Sequence, residues 1–143
     1  MFDNVKSDLS LYQSDLIILA ETWLPTNTLI TEHYQLVDFE GHLNNSGRGK
    51  GIAIFYKEDV DHIEDQNVEN INISKVVSED IDVIAVYRSR DGCLNTLIEK
   101  LQTLINFSKT TMIIGDMNIC NKENPKNLLK TYLEAQDCFR WKY

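Results

Sequence analysis

A short apolar run that ends in glycine, an acid and an amide constrains this chain more than any other stretch. Residues 111–114 are apolar or β-branched, and Gly-Asp-Met-Asn follows at positions 115–118. The run predicts a buried strand, in which residues two apart point to the same side. Asp116 and Asn118 would then share one space, where their oxygens are hard ligands suited to magnesium or to a metal-held phosphate. Both are also ordinary turn residues, so turn chemistry remains the alternative.

Two other apolar runs also end in polar side chains that suit a site. Residues 15–20 form one such run, and Glu21 follows it directly. Residues 81–86 form another, which leads into a phenol and two guanidinium groups at Tyr87, Arg88 and Arg90. Arginine forks match the oxygens of a phosphate group. The alternatives are a surface glutamate and a core tyrosine with exposed arginines, because the sequence does not show which strands are neighbours.

A glycine-rich basic segment lies at residues 47–51. It is not a P-loop, because a glycine stands where a serine or threonine should follow Lys50. A turn that opens a strand is the favoured interpretation. Arg48 and Lys50 are still candidate contacts to a nucleic-acid backbone.

The remaining patterns predict a mixed α/β domain with a sheet as its spine. Apolar spacing predicts helices over residues 4–13, 95–109 and 124–136. Strands are expected over residues 15–20, 34–39, 51–57, 68–77, 81–88 and 111–118. The alternation within 68–77 predicts one wet face, and the acidic residues between 58 and 65 predict a solvated loop.

Composition and charge limit the class of protein. The chain has 143 residues, of which 43% are hydrophobic and 25% charged, and this fits one soluble globular domain. No apolar run approaches the length of a membrane span, so we expect no membrane partner. The formal net charge of −8 argues against a general nucleic-acid coat, but not against an enzyme that gathers carboxylates around a metal. Three widely spaced cysteines predict free thiols and an intracellular protein, with the nucleus left open.

Four blocks of the sequence, taken together, resemble the endonuclease/exonuclease/phosphatase family. They lie at residues 20–24, 49–55, 86–88 and 114–118, and they occur in the family's order with similar spacing. The sequence of these blocks is most similar to that of the endonuclease domain of non-LTR retrotransposons and related mobile elements. The resemblance implies a four-layer α/β sandwich, in which two sheets pack face to face with helices outside. It covers nearly the whole chain, so residues 1–143 are expected to form a single, partial domain of this type.

The same resemblance implies a role for each strand-tip residue. Glu21 would be the metal-binding glutamate, and Asp116 would position or activate the attacking water. Asn118 would hold the scissile phosphate, while Tyr87 would help to stabilise it in the transition state. Trp23 is expected to pack beneath the site. The implied reaction is hydrolysis of a DNA phosphodiester, as in endonuclease nicking, with Mg²⁺ as cofactor and Mn²⁺ as the other candidate.

The chain also departs from the family pattern. The family's first strand and its last strands, with a second aspartate and a Ser-Asp-His block, have no counterpart here, and His33, His42 and His62 are wrongly placed to replace that histidine. The resemblance therefore implies an incomplete fold and impaired activity. Two alternatives stay open: a non-catalytic relic or partial gene product of a mobile element, and a phosphatase acting on another phosphoester. A fused or neighbouring reverse transcriptase or helicase would be the implied protein partner.

Overall fold

Two β-sheets packed face to face form the centre of the molecule. The computed structural model describes residues 2–29, 34–46, 50–57 and 59–118. Two helices, a 3₁₀ helix and seven strands occur in them: α1 (Phe2–Ser7), the 3₁₀ helix (Leu9–Gln13), β1 (Leu16–Ala20), β2 (Glu40–Asn44), β3 (Ile52–Tyr56), β4 (His62–Asp65), β5 (Ile71–Val77), β6 (Ile81–Arg88), α2 (Leu94–Leu104) and β7 (Thr110–Asp116). The helix predicted over 124–136 lies outside the described residues.

The first sheet has the order β1-β3-β2 and is antiparallel throughout. Its outer face is covered by α1, the 3₁₀ helix and the segment before β2. Apolar side chains fill that layer: Val5, Leu11, Tyr12, Ile17, Leu19, Leu24, Leu36, Phe39, Leu43, Ala53 and Phe55. Burial of this apolar surface ties the helical start of the chain to the sheet.

The second sheet has the order β4-β5-β6-β7, with β6 and β7 parallel. A parallel pair needs a crossover, and α2 supplies it. The helix buries Leu97, Leu101 and Leu104 at three- and four-residue spacing. These leucines pack on the outer face of the sheet, against side chains that include Ile84 and Val86.

Side chains from both sheets interdigitate in the middle layer. Ile52 and Ile54 of β3 pack there against Val83, Ala85 and Tyr87 of β6. The layers therefore run helix, sheet, sheet, helix, and the predicted four-layer α/β sandwich is confirmed. Within the described part of the chain, no helix is long and apolar enough to cross a membrane.

Four predictions about helices and strands are wrong. The helix predicted over residues 4–13 is divided, because α1 ends at Ser7 and a separate 3₁₀ helix runs from Leu9 to Gln13. Residues 34–39 do not form a strand, because Leu36 and Phe39 are buried through an irregular segment and the strand begins only at Glu40. The acidic segment predicted as a loop contains β4, an edge strand, where exposed charges are tolerated. The polar face predicted to be wet on β5 is buried, since Asn72 and Ser74 lie between the sheets.

Candidate active site

A row of three side chains crosses the second sheet where β6 and β7 end. Asn72 of β5 pairs with Tyr87 of β6, and Tyr87 pairs with Asp116 of β7. Residues directly opposite each other in neighbouring strands point to the same face of a sheet. Tyr87 belongs to the middle layer, so the row faces the first sheet.

Glu21 comes from the first sheet to the same edge. It follows β1, and its backbone N–H donates to the carbonyl of Gly51 at 2.9 Å. Burial raises the pKa of the Tyr87 phenol, and the negative charges of Glu21 and then Asp116 raise it further. Tyr87 thus lies within electrostatic reach of both carboxylates, one from each sheet, and its phenol is held in the protonated, donating form.

Gly115 lets β7 approach β6 closely just before Asp116. Its φ is +143°, and a Cβ built at this position would lie 1.9 Å from the carbonyl oxygen of Val86. A side chain is therefore incompatible with this pairing. Gly115 is therefore required for the close packing of β7 against β6. This packing determines the position of the Asp116 carboxylate that follows.

Asp116 and Asn118 are joined by a tight turn. The Asn118 backbone N–H donates to Asp116 Oδ1 at 3.0 Å, and Asn118 has a φ of 45°. This is the left-handed region, which asparagine tolerates better than most residues. Asn118 Nδ2 donates to the Arg88 carbonyl at 2.8 Å, and this orients the amide. Turn chemistry and a site were alternatives in the sequence, and the structure shows that the turn is present.

The four predicted phosphate contacts lie in different environments. Arg88 is only 6% exposed, and its guanidinium donates to backbone carbonyls rather than facing open space. Arg90 is exposed in the turn after β6. Lys50 Nζ donates to Asn70 Oδ1 at 2.7 Å, beside the end of β6. Arg48 lies outside the described residues.

The expectation that Trp23 packs beneath the site is wrong, because its side chain is 58% exposed. Both Glu21 and Trp23 have a φ of 58°, and this irregular backbone turns Thr22 and Leu24 inward instead. The Thr22 hydroxyl is held near Asn45 Oδ1, at 3.3 Å. Left-handed residues other than glycine are costly, and they cluster at functional sites.

A buried polar network beside the row has no counterpart in the sequence analysis. Asn44 Nδ2, from the first sheet, donates to Ser74 Oγ at 2.9 Å, and its Oδ1 accepts from Asn67 Nδ2 at 2.7 Å. Asn72 joins the network through Asn67 Oδ1 at 3.1 Å and through the hydroxyl of Ser46 at 2.9 Å. Asn72 occupies a strand position that the alternation within residues 68–77 marks as polar. That pattern identifies a polar face, but it does not show that the face is buried.

The donor set at this edge fits a hard divalent cation. Glu21 and Asp116 contribute carboxylates, and Asn118 contributes an amide oxygen, Oδ1, while its backbone N–H and Nδ2 form the turn contacts. Magnesium is commonly held by one or two carboxylates together with substrate phosphates. Among the described residues, no group of three or more histidine, cysteine, aspartate or glutamate side chains is placed to enclose a metal.

Comparison with solved structures identifies the fold. An AP endonuclease from Archaeoglobus fulgidus superimposes with a TM-score of 0.72 at 17% identity, covering 94% of this chain and 65% of that protein. The fold is of the endonuclease/exonuclease/phosphatase type. TDP2 from C. elegans matches with a TM-score of 0.59 and 13% identity, over 85% of this chain and 43% of its own.

A third similar structure is D. rerio TDP2 complexed with single strand DNA product. Its TM-score is 0.54 and its identity 14%, with 96% of this chain and 58% of that chain covered. The present chain spans less than two thirds of the length of each of these proteins. No family model matches it, nor does any curated protein. The likeness therefore bears on the fold, and the mobile-element resemblance, with its reverse transcriptase or helicase partner, stays a prediction.

Proposed function

We propose that this chain is a metal-dependent phosphodiesterase that acts on DNA, with its active site at the common edge of the two sheets. The observation that carries the proposal is the pairing of Tyr87 with Asp116 across β6 and β7, with Glu21 near enough for its charge to raise the pKa of the Tyr87 phenol. Glu21 follows β1 of the first sheet, whereas Tyr87 and Asp116 lie in β6 and β7 of the second sheet. Carboxylates gathered around a neutral phenol suit a centre that binds a cation and an anionic phosphoryl group together.

Three side chains have different roles in the proposed reaction. Asp116 accepts a proton from the attacking water and orients that water toward phosphorus. Asn118, whose amide is fixed by the Arg88 carbonyl, supports the scissile phosphate. Tyr87 donates a hydrogen bond to a phosphoryl oxygen as charge develops on it, and its raised pKa keeps the donating proton in place.

Glu21 is the group that would hold Mg²⁺ or Mn²⁺, and Asp116 is the second carboxylate that acts on Tyr87. A bound divalent cation supplies charge neutralisation and polarisation of the phosphoryl oxygen. The strained backbone at Glu21 supports this assignment, since a left-handed glutamate is retained where its placement matters.

DNA is favoured as the substrate by the comparisons and by the cations at this edge. The similar structures include a protein named as an AP endonuclease and another complexed with single strand DNA product. Lys50 and Arg90 lie near the end of β6, where they would contact phosphates flanking the scissile one. Arg48 stays a candidate for the same contact.

Nicking of supercoiled plasmid DNA tests the proposal. We expect the chain to nick in Mg²⁺ or Mn²⁺ and to stop when the metal is chelated. Glu21→Gln should lower the rate about 100-fold and raise the metal concentration needed, because a ligand charge is lost. Glu79→Gln is the matched control, since Glu79 is exposed in the turn between β5 and β6, at the other end of β6.

The outcomes separate the alternatives. Hydrolysis of a phosphomonoester but not of plasmid or single-stranded DNA would replace DNA by another phosphoester. Failure on every substrate with any divalent cation would contradict an enzymatic role and favour the non-catalytic alternative. Equal loss of activity in the Glu21 and Glu79 variants would remove the site assignment.

A further inference from the structure

Arg88 lies on the opposite face of the second sheet from Tyr87, although the two are neighbours in sequence. Alternate residues of a strand point to opposite faces, so Tyr87 enters the middle layer and Arg88 points toward the α2 side. Met117, whose carbonyl Arg88 contacts, packs in the layer under α2. Arg88 is therefore turned away from the space in which the carboxylates meet.

The guanidinium of Arg88 donates to several backbone carbonyls around the site. Nε donates to the carbonyl of Met117 at 2.8 Å, and Nη2 donates to that of Asn118 at 3.0 Å. Nη1 donates to the carbonyl of Gly92 and, at 3.5 Å, to that of Ser89. Four of the five N–H groups of the side chain are used in this way, which leaves little capacity to bind phosphate.

The contacts of Arg88 form a closed loop with the predicted site residues. Its side chain holds the backbone of residues 117 and 118, while its own carbonyl accepts from Asn118 Nδ2 at 2.8 Å. The Asn118 backbone N–H in turn donates to Asp116 Oδ1. Arg88 is thus one bond from Asn118 and two from Asp116, and it determines where the chain leaves β7.

Gly92 makes room for this arrangement. A Cβ at Gly92 would lie 2.8 Å from Arg88 Cγ and 3.0 Å from the carbonyl oxygen of Asn70. Neither atom is the free end of a flexible side chain, so a larger residue here would displace Arg88 itself. The position of the Arg88 side chain therefore depends on a glycine at residue 92.

From these contacts we propose that Arg88 is a positioning residue, which holds Asp116 and Asn118 in reacting geometry and does not contact phosphate. The inference rests on the proposed function of the site, and it replaces the phosphate role predicted for Arg88 from the sequence. A guanidinium is needed because its planar fork reaches several carbonyls at once, which a lysine ammonium does not do in the same geometry.

The test compares Arg88→Met and Arg88→Lys with the matched pair Arg90→Met and Arg90→Lys. Steady-state kinetics on a DNA duplex with Mg²⁺ should show kcat falling about 100-fold in both Arg88 variants, with KM little changed, because a small misplacement of reacting groups is costly. The Arg90 variants should show the reverse, a raised KM with kcat retained. Gly92→Ala should shift kcat in the same direction as the Arg88 variants, by less.

A second readout does not depend on activity. Amide hydrogen exchange should show that the Asn118 N–H loses protection in Arg88→Met, while amides at the centre of β6, such as Ile84, keep theirs. Unchanged protection at Asn118, or an increase in KM with kcat retained, would overturn the proposal. Loss of protection throughout β6 would also overturn it, because Arg88 would then be a general stability residue. If the wild type is inactive on every substrate, the proposed function fails, and the exchange result still decides whether Arg88 holds Asn118.

Discussion

At the scale of single residues, the site depends on Tyr87. Burial raises the pKa of its phenol, and the charges of Glu21 and Asp116, which come from different sheets, raise the pKa further. Asn72 lies beside it in the cross-strand row and is fully buried. A buried phenol with acids on two sides is an unfavourable place for a further negative charge, and a cation or a hydrogen-bond acceptor is what such a place suits.

The pKa of Tyr87 should fall when Glu21 is neutralised. In the wild type we expect the phenol to titrate above its ordinary value of about 10. Glu21→Gln removes one of the charges that raise the pKa, so the titration should move toward that value. NMR titration of the tyrosine Cζ resonance, assigned with Tyr87→Phe, measures the change, and Glu79→Gln is the control. A Tyr87 pKa that is equal in all backgrounds would contradict the placement of Glu21 beside the phenol.

Some residue-scale features were predictable and others were not. A two-residue period places Asp116 and Asn118 near each other, and the structure links them through a hydrogen bond. The same two-residue period, applied to β6, predicts that Tyr87 and Arg88 face opposite sides of the sheet, as they do in the structure. The exposure of Trp23 follows from left-handed backbone at two positions, which a sequence of ordinary residues does not reveal.

At the scale of elements, β6 connects the site to the far end of the second sheet. Asp82, near its start, is 2% exposed and forms ion pairs with Lys75 Nζ at 2.9 Å and Lys109 Nζ at 2.8 Å. Lys109 also donates to the carbonyl of Ser78. The cluster ties β5, β6 and the segment that leads into β7, so it fixes the parallel pairing at the end opposite to Tyr87.

Asp82 should make folding stability sensitive to acid. Burial alone would raise its pKa, but hydrogen bonds and charge from Lys109 and Lys75 outweigh burial and lower the pKa. The folded-state pKa is therefore below the unfolded value of about 3.9, so the stabilisation is complete above that pH and is lost as pH falls through the folded-state pKa.

Substitution of Asp82 tests this. Asp82→Asn leaves Lys75 and Lys109 without their buried carboxylate and should cost about 3 kcal/mol near neutral pH. Urea unfolding across the acid range should show the difference from wild type shrinking below pH about 4. Asp80→Asn, in the exposed turn before β6, is the control and should stay within about 0.5 kcal/mol of wild type. A difference that stayed constant down to low pH would show that the ion pairs are not its source.

The elements that sequence patterns located best are those with strong periodicity. The sequence predicts both ends of four strands to within two residues: β1, β3, β6 and β7. It also predicts α2, but as a helix that extends to residue 109, whereas α2 ends at Leu104. β2 was missed because its sequence, Glu-Gly-His-Leu-Asn, lacks an apolar alternation. Its pairing with β3 stabilises it, and tertiary pairing of this kind overrides local preference.

At the scale of the whole molecule, the two sheets are joined by different chemistry along their length. Apolar side chains fill the middle layer around Ile54 and Ala85, whereas polar side chains around Asn44 bridge β2 and β5. His42 Nε2 lies 2.9 Å from Asp65 Oδ2 and adds a further bridge from β2 to β4. Hydrogen bonds in a satisfied polar network are directional, so they specify one relative position of the two sheets more strictly than apolar contact alone does.

Removal of the Asn44 amide should weaken the contact between the sheets. Asn44→Ala leaves the side chains of Asn67 and Asn72 and the hydroxyl of Ser74 short of partners, at a cost of about 2 kcal/mol. Chemical unfolding measures the loss. Asn95→Ala, on an exposed position of α2, is the control and should be neutral or slightly stabilising, because alanine favours helix. Equal stability of the two variants would contradict a structural role for the network.

The fold of the described residues could be predicted from four short blocks, because their order along the chain matches one known arrangement. The meeting of Glu21 with Tyr87 and Asp116 could not, since it depends on how β1 of one sheet faces β6 and β7 of the other. Strand-tip residues are visible in a sequence, but which tips meet is decided by the packing of the sheets.

Asp116, at the edge where the two sheets meet, is proposed as a catalytic group for phosphodiester hydrolysis. The most direct measurement is the single-turnover rate of plasmid nicking in Mg²⁺ by the wild type, Asp116→Asn and the exposed-turn control Asp80→Asn. We predict a loss of about 10²–10⁴-fold in Asp116→Asn, with the control equal to wild type. Metal-dependent nicking that survives in Asp116→Asn at the wild-type rate would contradict the claim.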